Sequence, residues 1–134
     1  MKKNIFFKAL TATLVTASLA VTANATFEKT NQYTAGQFTD VPENVWYASE
    51  VKNAYELGFM NGTGDNTMSP DGTMTVAQGI TVASRVHAIY NDKTIAEKSD
   101  GKWYDMSVGY AIENDICQKE DYDNLDRNIR RFEM

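Results

Sequence analysis

A chain of 134 residues with 13 basic and 18 acidic side chains, a formal charge of −5 and a single cysteine has room for one small domain at most. Its acidity argues against nucleic acid or an anionic lipid surface as a partner. One cysteine excludes a disulfide framework within the chain.

Residues 1–25 read as an export signal. Lys2, Lys3 and Lys8 supply the positive start, residues 9–21 are apolar apart from Thr and Ser, and Ala23-Asn24-Ala25 is a small-x-small cleavage pattern. The apolar run is about 13 residues, whereas a membrane span needs about 20, so no span is expected after cleavage. Removing the leader takes three lysines and no acid, which leaves a mature charge of about −8. Residues 26–37 are polar, show no apolar period and read as a linker.

The first structured unit opens at Phe38-Thr39-Asp40-Val41-Pro42. A helix is predicted over about residues 48–57, because Tyr47, Val51, Ala54 and Tyr55 form one helical stripe. Gly58 stands where the helix can end in a left-handed residue, followed by the apolar Phe59. The stretch NGTGDNTMSPDG, residues 61–72, is too rich in Gly, Asn, Asp and Pro for a regular element. As a calcium loop starting at Asp65 it fails, since Pro70 stands at the glycine position and Val76 at the glutamate position. A second helix is predicted over residues 75–90, opened by the capping box Thr75-Val76-Ala77-Gln78. Val82, Ala83, Val86, Ile89 and Tyr90 are its expected apolar face, and Gln78, Thr81 and Arg85 a narrower polar strip. His87 reads as a packed, satisfied histidine, with no metal-ligand spacing around it.

After a polar linker the chain repeats itself. WYASEVKNAYELGF, residues 46–59, returns as WYDMSVGYAIENDI, residues 103–116, at a constant spacing of 57. Trp46 and Tyr47 recur as Trp103 and Tyr104, while Val51, Ala54 and Glu56 recur as Val108, Ala111 and Glu113. A helix is therefore predicted over residues 105–114, with the stripe Tyr104, Val108, Ala111 and Ile112. Asp115 stands where Gly58 stood. Cys117 aligns with Met60 and reads as a small buried hydrophobe, the alternatives being a reactive thiol or an intermolecular bridge. Ile129-Arg130-Arg131-Phe132-Glu133 occupies the place of Met74 to Gln78, and the chain stops at Met134, so the second unit is expected to lack nearly all of its second helix. The mature chain is expected to be all-α and almost entirely helical.

FTDVPENVWYASEVKNAYELGFMNG, the Pro-Gly loop and the Thr-x-Ala-Gln helix start together resemble an S-layer homology motif. WYDMSVGYAIENDI and DNLDRNIRRFEM resemble a second one, and TVAQGITVASRVHAIYND is similar to the second helix of first motifs in clostridial-type surface proteins. The resemblance implies tandem helix–loop–helix repeats in an incomplete pseudo-threefold domain. The expected layout is a signal peptide at 1–25, a linker at 26–37, a first motif at 38–91, a linker at 92–101 and a C-terminally truncated second motif at 102–134. The family implies a non-catalytic module, exported to the cell surface of a Gram-positive-type bacterium, that binds a secondary cell-wall polysaccharide, often through a pyruvylated sugar. It calls for no cofactor and no metal.

Carried over residue by residue, the family's Ile-Thr-Arg-Ala-Glu signature places its arginine at Arg131 and its glutamate at Glu133, with Arg130 at the capping threonine and Phe132 at the alanine. In the first unit Val76 replaces the arginine and Gln78 the glutamate. Trp46 and Trp103 match the family tryptophan and Asp40 the opening Asp. Polysaccharide-binding candidates are thus Arg131, Glu133, Arg130, Trp103, Trp46 and Asp40. A guanidinium offers a planar fork to a carboxylate, helix-start amides add positive potential, and an indole face suits either a sugar or a core. The alternatives for Arg131 are a surface salt bridge with Asp126 or no role in this truncated chain. Val76→Arg is expected to be tolerated and to restore the signature.

Two other classes compete. An enzyme would need a Ser-His-Asp set, an HExxH or a Gly-rich phosphate loop after a strand, and none is present; catalysis would then lie in a longer parent protein. An assembly module would use the half-core left by truncation to recruit other motifs or chains.

Overall fold

The computed structural model describes residues 27–96 and 100–130. The expected leader and the candidates Arg131 and Glu133 lie outside them. Three helices are the regular elements: α1 (Ala48–Glu56), α2 (Val76–Tyr90) and α3 (Asp105–Glu113). Extended pairing among the described residues is limited to two isolated bridges, Gly64 with Thr67 and Thr75 with Asn128. The fold is all-α, but the expectation of an almost wholly helical chain fails. Helices of 9, 15 and 9 residues leave most of the described chain in turns. The intervening Gly, Asn, Asp and Ser residues favour turns, and Asn66, Ser69, Asp92 and Asp115 all take positive φ.

Local chemistry sets the helix ends. Thr75 Oγ1 accepts from the Gln78 amide at 3.2 Å, and Gln78 Oε1 accepts from the Thr75 amide at 2.8 Å, closing the capping box. Gly58 (φ +74°) ends α1 in a Schellman motif: its amide donates to Tyr55 O and the Phe59 amide to Ala54 O. Asp115 (φ +56°) does the same for α3, with its amide on Ile112 O and the Ile116 amide on Ala111 O. The repeat in sequence is therefore a repeat in backbone geometry.

Two small cores result. Phe38, Val41 and Met68 are buried together, covered by Tyr33, Val45, Tyr47, Ala48, Val51, Tyr55 and Met60. Val76, Ile80 and Ala111 form the second, covered by Val108, Ile116, Cys117, Tyr122, Leu125 and Ile129. Cys117 is half-buried there, and burial followed by the nearby Asp121 charge pushes its thiol pKa up, as suits a packing residue.

The buried face of α2 differs from the expected one. Val76, Ala77, Ile80, Thr81, Ser84 and Ala88 are buried, whereas Ala83 and Tyr90 are exposed and Val82, Val86 and Ile89 only half-buried. On α3, Ala111 is buried and Ile112 exposed. Small side chains win because α2 packs directly on α3, where bulk would hold the axes apart. Ser84 is fully buried and donates to Ser107 O at 2.9 Å. Ser84→Ala removes this buried bond between the helices, while Ser107 O keeps its place in the α3 ladder, so the change is expected to lower unfolding free energy by about 0.5–1.5 kcal/mol, measured by denaturant titration. His87 is satisfied as expected, by Tyr110 Oη at 2.9 Å across the same interface.

Segment 27–37, polar enough to read as a linker, is strapped onto α1. The Thr30 and Asn31 amides donate to Glu56 O, Asn31 Nδ2 donates to Tyr55 O, and Lys29 pairs with the buried Glu56 at 2.6 Å. Phe27 meets Phe59 edge-on at 5.2 Å. A Cβ on Gly58 would lie 2.7 Å from Thr30 Oγ1, so the glycine serves both the helix end and this close approach.

The second unit closes over the start of α2. The Val76 amide donates to Arg127 O, the Ala77 amide to Leu125 O, and the Ile129 amide to Met74 O. With Gln78 capped by Thr75, the first three amides of α2 all have partners within the chain. They are not an open anion site. Val76 itself is 0% exposed, which overturns the expectation that arginine would be tolerated there.

Candidate functional site

A groove of about 860 Å³ runs along the Gln78, Thr81, Val82 and Arg85 side of α2, facing Tyr47 and Val51 of the first unit and loop residues 60–74. Trp46 and Trp103 both line it. Among the described residues they are the most exposed large hydrophobic side chains of their two units, at 86% and 55%, so neither is a core anchor. Each leans edge-on against the tyrosine that follows, Trp46 on Tyr47 at 5.4 Å and Trp103 on Tyr104 at 5.2 Å. The sequence repeat has placed two equivalent indoles on one groove.

Asp40 holds the groove wall. Its carboxylate accepts from the Met68 amide at 2.9 and 3.1 Å and from the Ser69 amide at 2.6 Å. These bonds, the Met68 one first, lower its pKa from the ordinary 3.8. Asp40 is not among the lining residues, so it shapes the groove through the loop. Gly62 (φ +101°) sits on the same wall, where a Cβ would come within 2.7 Å of Thr67 O. Nothing in the loop resembles a calcium site, and no cluster of three or more His, Cys, Asp or Glu able to hold a metal occurs among the described residues.

Two groove residues lay outside the sequence-derived site. Arg85 is half-buried, donates only to Phe59 O at a long 3.5 Å, and has its pKa lowered by burial. No carboxylate pairs with it among the described residues. Thr81 is 4% exposed, and its hydroxyl has no hydrogen-bond partner among the described residues. The sequence signal for both was the polar strip on α2, which marked them without saying what they faced.

The corresponding face of the second unit forms a smaller cavity of about 420 Å³ lined by Tyr104, Val108 and Cys117, the equivalents of Tyr47, Val51 and Met60. Lys102 Nζ bonds Tyr104 Oη at 2.7 Å and Asp126 at 2.9 Å there, so Asp126 is already paired. Tyr104 and then Asp126 raise the Lys102 pKa, while Lys102 and then Tyr104 lower that of Asp126. Arg130 is exposed and lines neither cavity.

Asp40 and Asp126 both have lowered folded-state pKa values, so their contributions to stability are complete above 3.8 and are lost as pH falls through the lowered values. The melting temperature should be flat from neutral pH to about 5 and then drop in acid. Asp40→Asn should remove part of that acid dependence as well as lowering stability at pH 7. An unchanged acid limb in Asp40→Asn would contradict this assignment.

The repeated helix unit, the solvent-facing tryptophan pair and the strutted loop characterise a small helical repeat with an exposed aromatic groove. The S-layer homology domain family matches residues 37–78. Residues 37–78 therefore carry an S-layer homology motif, a unit that is itself a non-catalytic anchor of cell-surface proteins. It is 30% identical over 94 residues to Exoglucanase XynX of Acetivibrio thermocellus, an alignment covering 63% of this chain and 9% of that protein. The chain thus spans less than a tenth of the length of the curated relative it matches. No solved structure matches. No helix among the described residues is long and apolar enough to cross a membrane.

Proposed function

We propose that this chain is an exported wall-anchoring module that holds an acidic, pyruvylated secondary cell-wall polysaccharide in the groove flanked by Trp46 and Trp103. The observation that carries the reading is that pair: two repeat-equivalent indoles, exposed and on one groove, present C–H-binding faces without contributing to either core. Residues 1–25 are the leader. Residues 38–91 and 102–134 are the two motifs; the second supplies Arg131, and Arg130 from outside the groove, to the polymer's anionic groups and Glu133 to its hydroxyls, with Asp40 acting through the loop.

Trp46→Ala and Trp103→Ala should each weaken wall binding by about 1 kcal/mol or more while leaving helicity and melting temperature near the parent's. Arg131→Ala should weaken it by roughly 1.5–3 kcal/mol, the scale of a charge-assisted hydrogen bond. Pelleting with purified walls measures all three. Parental binding by both tryptophan variants would refute the groove.

The likeness to a short part of an exoglucanase favours one elaboration, in which the module tethers a larger surface protein or enzyme. On that reading the catalytic chemistry belongs to the cargo, and the anchor contributes only location.

A further inference from the structure

We propose that Arg85 and Thr81 form a carboxylate subsite on the floor of the groove, substituting within the first unit for the signature arginine that Val76 replaces. The inference rests on the wall-polysaccharide reading and names the group that the groove engages. Two independent observations carry it. Arg85 is a half-buried guanidinium with no anionic partner among the described residues and one long bond to Phe59 O at 3.5 Å. Four residues earlier, one helical turn away on the same face, Thr81 buries a hydroxyl that has no partner among the described residues, although such groups are nearly always satisfied. Both line the groove that Trp46 and Trp103 flank.

The chemistry is complementary. A carboxylate accepts two parallel bonds from a guanidinium fork and one more from a hydroxyl. Partial removal from water makes those bonds stronger than on an open surface. The position also explains how the first unit can dispense with the signature arginine. Position 76 is closed by Arg127 O and buried, whereas position 85 opens into the groove. The carboxylate could come from a pyruvate ketal or from a uronic acid. The subsite reads the group the two share, and the probes below separate the sources.

The test uses wall polysaccharide released from purified walls in three forms. One is native, one has its carboxylates converted to neutral amides with carbodiimide, and one is treated with mild acid, which strips ketal-linked pyruvate and spares uronic acids. The parent chain should bind the amidated polymer about tenfold to a hundredfold more weakly than the native one. Loss on acid treatment as well assigns the carboxylate to pyruvate; retention assigns it to a uronic acid. Arg85→Gln should bind native polymer at the amidated level and be indifferent to amidation, and Arg85→Lys should recover part of the loss. Thr81→Val keeps the shape and removes the unpaired hydroxyl, so it should melt at or above the parent's temperature yet bind native polymer several-fold more weakly. A purely structural threonine would not move those readouts in opposite directions. Arg85→Gln that still loses affinity on amidation, or a parent insensitive to amidation, overturns the subsite and leaves the wall reading standing. A parent that binds no form of the polymer overturns both.

Discussion

Val76→Arg is expected to unfold the second core, lowering unfolding free energy by on the order of 4 kcal/mol or more. Val76 is fully buried against Ile80 and Ala111, and its amide is tied to Arg127 O. A guanidinium there reaches water only by displacing the segment around Leu125 and Ile129, which also supplies the carbonyls that cap α2. Domains of this size hold only about 5–15 kcal/mol in total, so the loss would be close to global. Val76→Ala, which removes only packing, should cost about 2 kcal/mol. Thermal unfolding by circular dichroism separates the cases, and a parental melting temperature in Val76→Arg would contradict the buried assignment.

Phe38→Ala is expected to cost about 3–5 kcal/mol. The ring is buried and lies 5.4 Å from Tyr55 and 6.2 Å from Tyr33, in edge-on and tilted contact. It joins the N-terminal strap, α1 and the loop in a core with only two other buried members, Val41 and Met68. The effect should reach the groove, because Met68 is both a core member and a lining residue. Denaturant unfolding should show a reduced midpoint, and binding at temperatures where the variant is still folded should also fall. A variant as stable as the parent would mean that the first unit does not depend on this cluster.

The features legible in the sequence were those decided within a few residues. The Thr75–Gln78 capping box, the left-handed stop at Gly58 and its imitation by Asp115 are local, and all three helices fell within a residue or so of their expected limits. The all-α class and the tryptophan pairing followed from the repeat. What the sequence hid was decided by partners far along the chain. Apolarity pointed to Val82, Val86 and Ile89 as the inner face of α2, but across the interface Val76 and Ile80 pack on Ala111 and small Ser84 bonds Ser107 O. Polar composition made residues 27–37 look unattached, although their backbone groups and Phe27 dock on α1 and Phe59. The same limit applied to the site. Trp46 and Trp103 were visible as a pair, Asp40 was visible without its role as a strut, and Arg85 and Thr81 could be placed on one strip but not on one groove. Val76 looked free because the segment covering it lies some fifty residues downstream.

We propose anchoring to the wall through its secondary polysaccharide as the role of this chain. Its most direct test is co-sedimentation of the exported chain with purified cell walls, before and after acid extraction of the secondary polymer from the peptidoglycan. The chain is expected to pellet with intact walls and to stay in the supernatant with extracted ones. Equal pelleting with bare peptidoglycan, or none with intact walls, would contradict it.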